Sequence, residues 1–295
     1  MRIGTLNTPS GPRAVIPLDG DRLVDLNATD SSLPADTVQL LKLGPDALRR
    51  AAAAAESPQA RTVPFEPERL GPAVTPGKLL CIGRNYAAHA AETGSQVPEK
   101  PEVFVRVRTS ITGPYAKIAR PAVSEALDYE VELAVVIGRP AKRVKKERAL
   151  DYVAGYCVFN DVSLRDFQRH GSQWIPGKNF DATGPLGPFV VTADQVPDPQ
   201  NLNLGTSVVK TDGTEEELQN SNTEDMVHTV AGLIEYISLW ATLEPGDVIA
   251  TGTPSGVGLG REPKRWLVPG ETVICRVQGL GETRNLVVAE AGPNP

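Results

Sequence analysis

The sequence has few cysteines and no long apolar run, and each shortage argues against a class of protein. Its three cysteines, Cys81, Cys157 and Cys275, are widely spaced and form no Cys-x-x-Cys motif. That pattern argues against a disulfide framework and against a zinc knuckle. No stretch approaches the roughly 20 apolar residues of a membrane-spanning helix, and the first residues lack the apolar core of a signal peptide. We therefore expect a cytoplasmic protein that has no membrane partner.

Positive charge is also scarce. The 295 residues include 30 Lys and Arg against 36 Asp and Glu, which gives a net charge of −6 at pH 7. Because such a protein repels phosphate backbones, we expect no nucleic-acid partner. Apolar residues make up 40% of the chain, enough for a globular core, while 27 glycines and 26 prolines favour many turns over long helices.

The patterning of apolar residues and prolines divides the chain into two parts. Residues 1–75 have the features of a small α/β module, with Asp19-Gly20 as the turn of a β-hairpin and a helical pattern over residues 37–55. The Gly44-Pro45 pair is expected to split that helix in two, since glycine ends helices and proline begins them. Residues 76–295 form the second, larger part.

The second part is predicted to be mostly β with a few α elements. One helix is expected where apolar residues recur at helical spacing between Met226 and Ile237, with Asn222 or Thr223 as its N-cap. Strands and helices do not alternate regularly, which argues against a Rossmann plan or a (β/α) barrel. The apolar runs that predict strands are residues 79–82, 103–105, 133–137, 156–159, 189–191, 248–250 and 273–277.

Carboxylate side chains stand at the ends of two of these runs. Glu130 and Glu132 lie at the start of a buried strand and, being two residues apart, share one face of it. Asp161 follows another strand, at the point where it meets a loop. Three carboxylates without Cys or paired His suit a hard ion such as Mg²⁺ or Mn²⁺. By spacing alone, however, Glu-x-Glu on a solvated strand face is the more common arrangement.

Five segments of the sequence together form a specific pattern: residues 78–86 with His89, 128–138, 160–168, 173–181 and 243–258. In this order they resemble the fumarylacetoacetate hydrolase family, and the resemblance covers about residues 78–288. It implies a mixed β-sandwich roll with a small N-terminal α/β part, assembled as a homodimer. It also implies that Glu130, Glu132 and Asp161 hold Mg²⁺ or Mn²⁺.

The same resemblance assigns further residues to the site. His89 and Glu92, three residues apart, would meet on a helix turn, where Glu92 orients His89 as a base that activates water. Lys178 would stabilise negative charge on an enolate oxygen. The residues that would bind the substrate are Arg84, Arg165, Gln168 and Thr253.

The family acts on small 2-oxo acids, and His89 with Glu92 favours C–C bond hydrolysis of an acylpyruvate- or fumarylpyruvate-like diketo acid. The alternative is an isomerase, decarboxylase or tautomerase of a 2-oxo or 2-hydroxy-dienoic diacid from aromatic catabolism, which needs the same metal but no attacking water. A non-catalytic protein that binds small acids is a third hypothesis. Arg106 stands where relatives commonly carry Lys, and Pro176 where they carry Arg, so the substrate is expected to differ from theirs.

Overall fold

The structure, a computed structural model, describes residues 1–18 and 21–292. The Asp19-Gly20 turn predicted from the sequence lies outside these residues. Within them the strands are β1 (Arg2–Thr8), β2 (Gly11–Pro17), β3 (Arg22–Asp25), β4 (Thr62–Pro64), β5 (Leu79–Gly83), β6 (Glu102–Arg106), β7 (Ile111–Thr112), β8 (Ile118–Arg120), β9 (Leu127–Asp128), β10 (Val131–Ile137), β11 (Val153–Asn160), β12 (Ser163–Leu164), β13 (Gly184–Thr192), β14 (Asn203–Val209), β15 (Glu215–Asn222), β16 (Val248–Ala250), β17 (Thr272–Val277) and β18 (Gly281–Ala289).

The helices are short, as the frequent glycines and prolines predict. The α-helices are α1 (Leu26–Thr29), α2 (Thr37–Lys42), α3 (Pro45–Ala55), α4 (Ala87–Glu92), α5 (Arg165–Gln168), α6 (Ile175–Lys178) and α7 (Val230–Trp240). The 3₁₀ helices are Pro67–Arg69, Arg108–Ser110, Lys146–Tyr152, Ala193–Gln195, Thr223–Asp225 and Gly258–Gly260.

One large sheet contains most of the strands, in the order β4-β3-β2-β1-β13-β11-β10-β16-β5-β6, with β7 beside β13. A smaller sheet has the order β15-β14-β17-β18-β8, and β9 pairs with β12. The central strands β10 and β11 are buried along their whole length. This burial explains why both sequences are nearly continuous apolar runs. The fold is mostly β with α elements, as predicted, and each of the seven apolar runs lies within a strand.

Alternate side chains of β10 enter two different cores. Leu133 and Val135 belong to a large core that also includes α7 and the inner face of the smaller sheet. Ala134 and Val136 belong to a second core, on the opposite face of the large sheet. Because side chains alternate along a strand, Glu132 shares the face of Ala134. A carboxylate therefore enters the protein interior at the end of an apolar strand.

The N-terminal strands extend the large sheet, because β1 pairs with β13. Helix α2 ends at Lys42 and α3 begins at Pro45, so the predicted split of the helix is confirmed. Gly44 between them has φ +76°, a backbone conformation that glycine adopts without the steric penalty of a side chain. The division of the chain after residue 75 stays a prediction.

The predicted start of α7 is wrong. Thr229 caps this helix, whereas Asn222 caps the short 3₁₀ helix that begins at Thr223. Met226 between them has an extended backbone and forms a β-bridge with Tyr86. Tertiary pairing of this segment therefore overrides the helical spacing of its apolar residues.

Two expectations drawn from composition concern cysteine chemistry and membranes. All three cysteines, Cys81, Cys157 and Cys275, are free and buried, which agrees with the absence of a disulfide framework. None of the helices in residues 1–18 and 21–292 is long and apolar enough to cross a membrane.

Candidate active site

The register of β10 and β11 brings three carboxylates together. Glu132 pairs with Phe159 across these antiparallel strands, and the backbone N–H of Asp161 donates to the carbonyl of Glu130 at 2.9 Å. Opposite residues of an antiparallel pair present their side chains on the same face. Glu130, Glu132 and Asp161 are all buried, and one oxygen of each lies within 4.8 Å of one oxygen of each of the others.

Three cationic side chains neutralise two of these carboxylates. Lys178 Nζ lies 2.6 Å from Glu130 Oε2 and 2.6 Å from Asp161 Oδ2. Arg165 Nη2 lies 2.6 Å from Glu130 Oε1, and Arg106 Nη1 lies 2.6 Å from Asp161 Oδ1. Burial alone would raise the pKa of Glu130, but Lys178 and Arg165 lower that pKa to about 2. Glu130 is therefore held as a carboxylate.

Glu132 has a different environment. Its Oε2 accepts a hydrogen bond from the backbone N–H of Gly252 at 2.8 Å, but it forms no salt bridge within the part of the chain that the structure describes. Burial, together with the negative charges of Asp161 and Glu130, raises its pKa well above the ordinary value of a glutamate. One buried carboxylate of the cluster thus lacks a cation.

The cluster fits a hard divalent cation. It offers carboxylate oxygens without sulfur or imidazole ligands, which is the set that Mg²⁺ and Mn²⁺ prefer. A cation placed among the three would also neutralise Glu132, the member that no side chain neutralises, and would reduce the repulsion between neighbouring carboxylates. The donor set agrees with the prediction of a metal site, while the identity of the metal stays a prediction.

A histidine and a carboxylate meet next to the cluster. Helix α4 places His89 and Glu92 on successive turns, and His89 Nδ1 lies 2.8 Å from Glu92 Oε1. The other oxygen of Glu92 accepts from the backbone N–H of Gly256 at 2.8 Å. His89 is 8% exposed and lines the cavity described below. The predicted contact within this pair is confirmed.

Every predicted site residue except Glu92 lines one cavity of about 150 Å³. At its rim, Arg84 forms a salt bridge with Glu102 at 2.7 Å and lies over the ring of Trp174. The side-chain oxygen of Gln168 accepts from Arg165 at 2.9 Å. Thr253 is 3% exposed. A larger, more apolar cavity of about 560 Å³ lies against α3 and contains none of the predicted site residues.

Asp128 organises this site, although sequence reasoning gave it no role. It is fully buried and its Oδ2 accepts from Arg165 Nε at 2.7 Å. Its oxygens also accept the backbone N–H groups of Gly258 at 2.7 Å and of Leu259 at 3.0 Å. The carboxylate therefore ties the Arg165 helix to the glycine-rich loop. An ionisable residue two positions before Glu130, in the same segment as the candidate ligands, was the signal that could have identified it.

Arg106 contacts a candidate metal ligand and does not line the cavity, so its effect on the substrate is indirect. Its guanidinium donates to Asp161, to the carbonyl of Val162 and to the hydroxyls of Thr183 and Ser110. These bonds hold Asp161 Oδ1 and leave Oδ2 turned toward Lys178.

Replacing Arg106 by methionine is expected to lower the free energy of unfolding by about 3 kcal/mol, because Asp161 would lose one of its two buried cations. Arg106→Lys keeps the charge but loses the fork of donors, so we expect a smaller loss of about 1 kcal/mol. Urea unfolding of both variants measures these changes. A methionine variant as stable as the wild type would contradict the role assigned to Arg106.

Comparisons with known proteins identify a family and several relatives that resemble this chain. A model of the fumarylacetoacetate hydrolase C-terminal family matches residues 78–288. A mitochondrial oxaloacetate tautomerase of Xenopus laevis is 42% identical over 285 residues, which are 96% of this chain and 88% of the relative.

Solved structures of other proteins share the whole fold. The fumarylacetoacetate hydrolase from the psychrophile Exiguobacterium antarcticum matches with a TM-score of 0.83 and 31% identity, covering 98% of this chain and 100% of that one. A 5-carboxymethyl-2-hydroxymuconate delta-isomerase from Mycobacterium smegmatis matches with a TM-score of 0.75 and 34% identity, again over 98% and 100%. The names of these proteins describe three different reactions, so similarity alone does not select one.

Proposed function

The chain belongs to the fumarylacetoacetate hydrolase family, and we propose that it interconverts the keto and enol forms of a small 2-oxo diacid such as oxaloacetate, with the help of a divalent metal. The observation that carries this proposal is that His89, held by Glu92, lines one cavity of about 150 Å³ together with three buried carboxylates. The name of the Xenopus laevis relative, an oxaloacetate tautomerase, supports the same reaction.

The metal would be held by Glu130, Glu132 and Asp161, as the sequence predicts. When bound there, Mg²⁺ or Mn²⁺ would withdraw electrons from the 2-oxo group of the substrate and make the neighbouring carbon more acidic. The residues of the chain then have two tasks, which are to orient the acid and to move one proton.

His89 is suited to move that proton. Glu92 Oε1 is a carboxylate oxygen and only accepts, so the nitrogen that contacts it, Nδ1, carries the proton of the neutral ring. Nε2 is then the nitrogen with a free lone pair. It can take the proton from the carbon beside the 2-oxo group and deliver it to the enolate oxygen, or move it in the opposite direction, which is the function of a general base and acid.

Positive charge and hydroxyl groups around the cavity would orient the substrate. Arg165 and Lys178 are buried cations on the cavity wall, and each would stabilise negative charge that develops on a substrate oxygen. Gln168 and Thr253 add polar groups to the same wall, and Arg84 lies at the rim. The family resemblance assigned Arg165 to substrate binding only, and we propose that it also stabilises charge.

Hydrolysis of a C–C bond in an acylpyruvate is the second candidate, because His89 held by Glu92 would also activate water. Oxaloacetate and acetylpyruvate are about equal in size, so the cavity of about 150 Å³ does not separate the two reactions. The name of the Xenopus laevis relative is what favours the tautomerase. Isomerisation or decarboxylation of a diacid uses the same groups.

We expect the enol form of oxaloacetate to convert to the keto form faster with protein and Mg²⁺ than with Mg²⁺ alone, and we expect a chelator to abolish the difference. A proton-NMR time course follows both forms. Acetylpyruvate in a parallel sample tests hydrolysis through the appearance of pyruvate and acetate.

The products of this experiment separate the candidates. Pyruvate formed from oxaloacetate beyond the metal-only control would show decarboxylation, and acetate from acetylpyruvate would show hydrolysis. Binding of these acids without any acceleration would favour a non-catalytic acid-binding protein and would contradict the proposed reaction.

The quaternary structure and the compartment stay predictions. A homodimer is supported by two exposed apolar side chains at one edge of the large sheet, Val105 of β6 and Val107 just after it, because exposed apolar residues favour association. We propose a cytoplasmic location on the sequence argument alone.

A further inference from the structure

Gln219 is a buried amide that connects two parts of the active site. It lies on β15 in the smaller sheet and is 2% exposed, although the surrounding strand is rich in acidic and amide residues. Its Oε1 accepts from the backbone N–H of Val131 at 3.0 Å and from the hydroxyl of Thr206 at 2.8 Å. Its Nε2 donates to the carbonyl of Pro254 at 2.8 Å and to Thr253 Oγ1 at 2.9 Å.

Two of these partners determine which way the amide faces. The backbone N–H of Val131 can only donate, and the carbonyl of Pro254 can only accept. The oxygen of Gln219 must therefore face Val131 and its nitrogen must face Pro254, which also turns the nitrogen toward Thr253. A reversed amide would place two donors against each other and two acceptors against each other.

This orientation decides the role of the Thr253 hydroxyl. Because Gln219 Nε2 donates to it, Oγ1 acts as the acceptor and its own proton is left for another partner. Among residues 1–18 and 21–292, the Thr253 hydroxyl donates no hydrogen bond. Thr253 lines the cavity, so an oxygen of a bound acid is the acceptor within reach.

The same amide is connected to the carboxylate cluster. Val131, whose N–H it accepts, stands between Glu130 and Glu132 in the chain. Gly252, next to Thr253, donates its backbone N–H to Glu132. Gln219 thus fixes the position of the loop that carries Thr253 relative to the strand segment that carries Glu130 and Glu132.

We propose that Gln219 is a positioning residue that fixes the Thr253 hydroxyl as a hydrogen-bond donor to an oxygen of the bound acid, in register with the Glu130–Glu132 segment. The proposal rests on the proposed function, since it needs an acid bound in this cavity. It adds a residue that does not line the cavity and that the motifs of the sequence did not indicate.

Replacing Gln219 by glutamate removes its N–H donors and keeps an oxygen that accepts hydrogen bonds. In Gln219→Glu one oxygen still faces Val131 and Thr206, but the two N–H donors are replaced by at most one O–H, which the carbonyl of Pro254 attracts more strongly than the hydroxyl does. The Thr253 hydroxyl then loses its fixed orientation. The matched control is Thr206→Val, which removes a different hydroxyl from the same amide oxygen.

The measurement is the affinity of oxalate, a planar two-carboxylate probe, for the Mg²⁺-loaded protein by titration calorimetry. We expect Gln219→Glu to weaken oxalate about 5- to 10-fold, the effect of one oriented hydrogen bond, and Thr206→Val to leave it unchanged. Mg²⁺ affinity without oxalate, measured separately, is expected to change less than about 2-fold in either variant.

A double-mutant cycle with Thr253→Val separates positioning from general damage. If Gln219 acts through Thr253, Gln219→Glu has no further effect on oxalate affinity in the Thr253→Val background. Equal losses in both backgrounds, or no loss in the single variant, would overturn the inference and leave the proposed function intact. Failure of the wild-type protein to bind oxalate with Mg²⁺ would overturn both.

Discussion

Replacing Glu132 by glutamine is expected to remove metal-dependent turnover and, at the same time, to stabilise the metal-free protein. The activity should fall by about 10³-fold, because an ion that loses a carboxylate ligand loses several kcal/mol of its catalytic effect. The stability should rise because Glu132 is a buried carboxylate without a salt bridge in the described residues, and glutamine keeps its shape without its charge. A gain of about 1–2 kcal/mol corresponds to about 2–4 °C in melting temperature.

The matched control for this prediction is Glu130→Gln. Glu130 is also a candidate ligand, so its loss should lower turnover similarly. However, Arg165 and Lys178 lie 2.6 Å from its oxygens, and neutralising it would leave these buried cations with fewer partners. We therefore expect the melting temperature of the chelator-treated protein to fall in Glu130→Gln and to rise in Glu132→Gln. Shifts of the same sign, or metal-dependent turnover that survives in Glu132→Gln, would contradict the assignment.

The carboxylate cluster illustrates how far the sequence could predict the site. Two-residue spacing places Glu130 and Glu132 on one strand face, and the end of an apolar run places Asp161 at a strand terminus. Their meeting depends on the pairing of β10 with β11, which puts Asp161 opposite Glu130. No local feature of β10 or β11 specifies that the two strands pair. Among the sequence observations, only the family resemblance therefore predicts that the three carboxylates lie together.

Residues that position other residues were not predicted from spacing and composition. Gln219 lies in a polar strand whose composition predicts exposure, yet its side chain is buried and bonds to Val131 and Pro254, which are distant in the sequence. Arg106 was noted only as a departure from the family, whereas its four hydrogen-bond partners come from three separate segments of the chain. Such roles depend on long-range contacts, which residue spacing does not encode.

His89→Gln is expected to lower kcat for tautomerisation by about 10²- to 10⁴-fold, the usual contribution of a general base. Glutamine offers no basic nitrogen, whereas the carboxylate cluster and the cavity stay in place. Mg²⁺ and oxalate affinities should therefore change little, and the loss should appear in kcat. His170→Gln is the control, because His170 is exposed, packs against Phe167 and does not line the cavity. Full activity of His89→Gln would exclude His89 as the base.

Glu92→Gln provides the stricter test, because it changes which nitrogen of His89 carries the proton and leaves the His89 side chain itself in place. The backbone N–H of Gly256 can only donate, so the amide oxygen of the new glutamine must face Gly256 and its NH₂ group must face His89. That NH₂ group donates to Nδ1, and the proton of the neutral ring then moves to Nε2, the nitrogen that should act as the base. We expect kcat to fall nearly as far as in His89→Gln, within about 10-fold. If Glu92 only supported the fold, kcat would stay close to that of the wild type while the melting temperature fell.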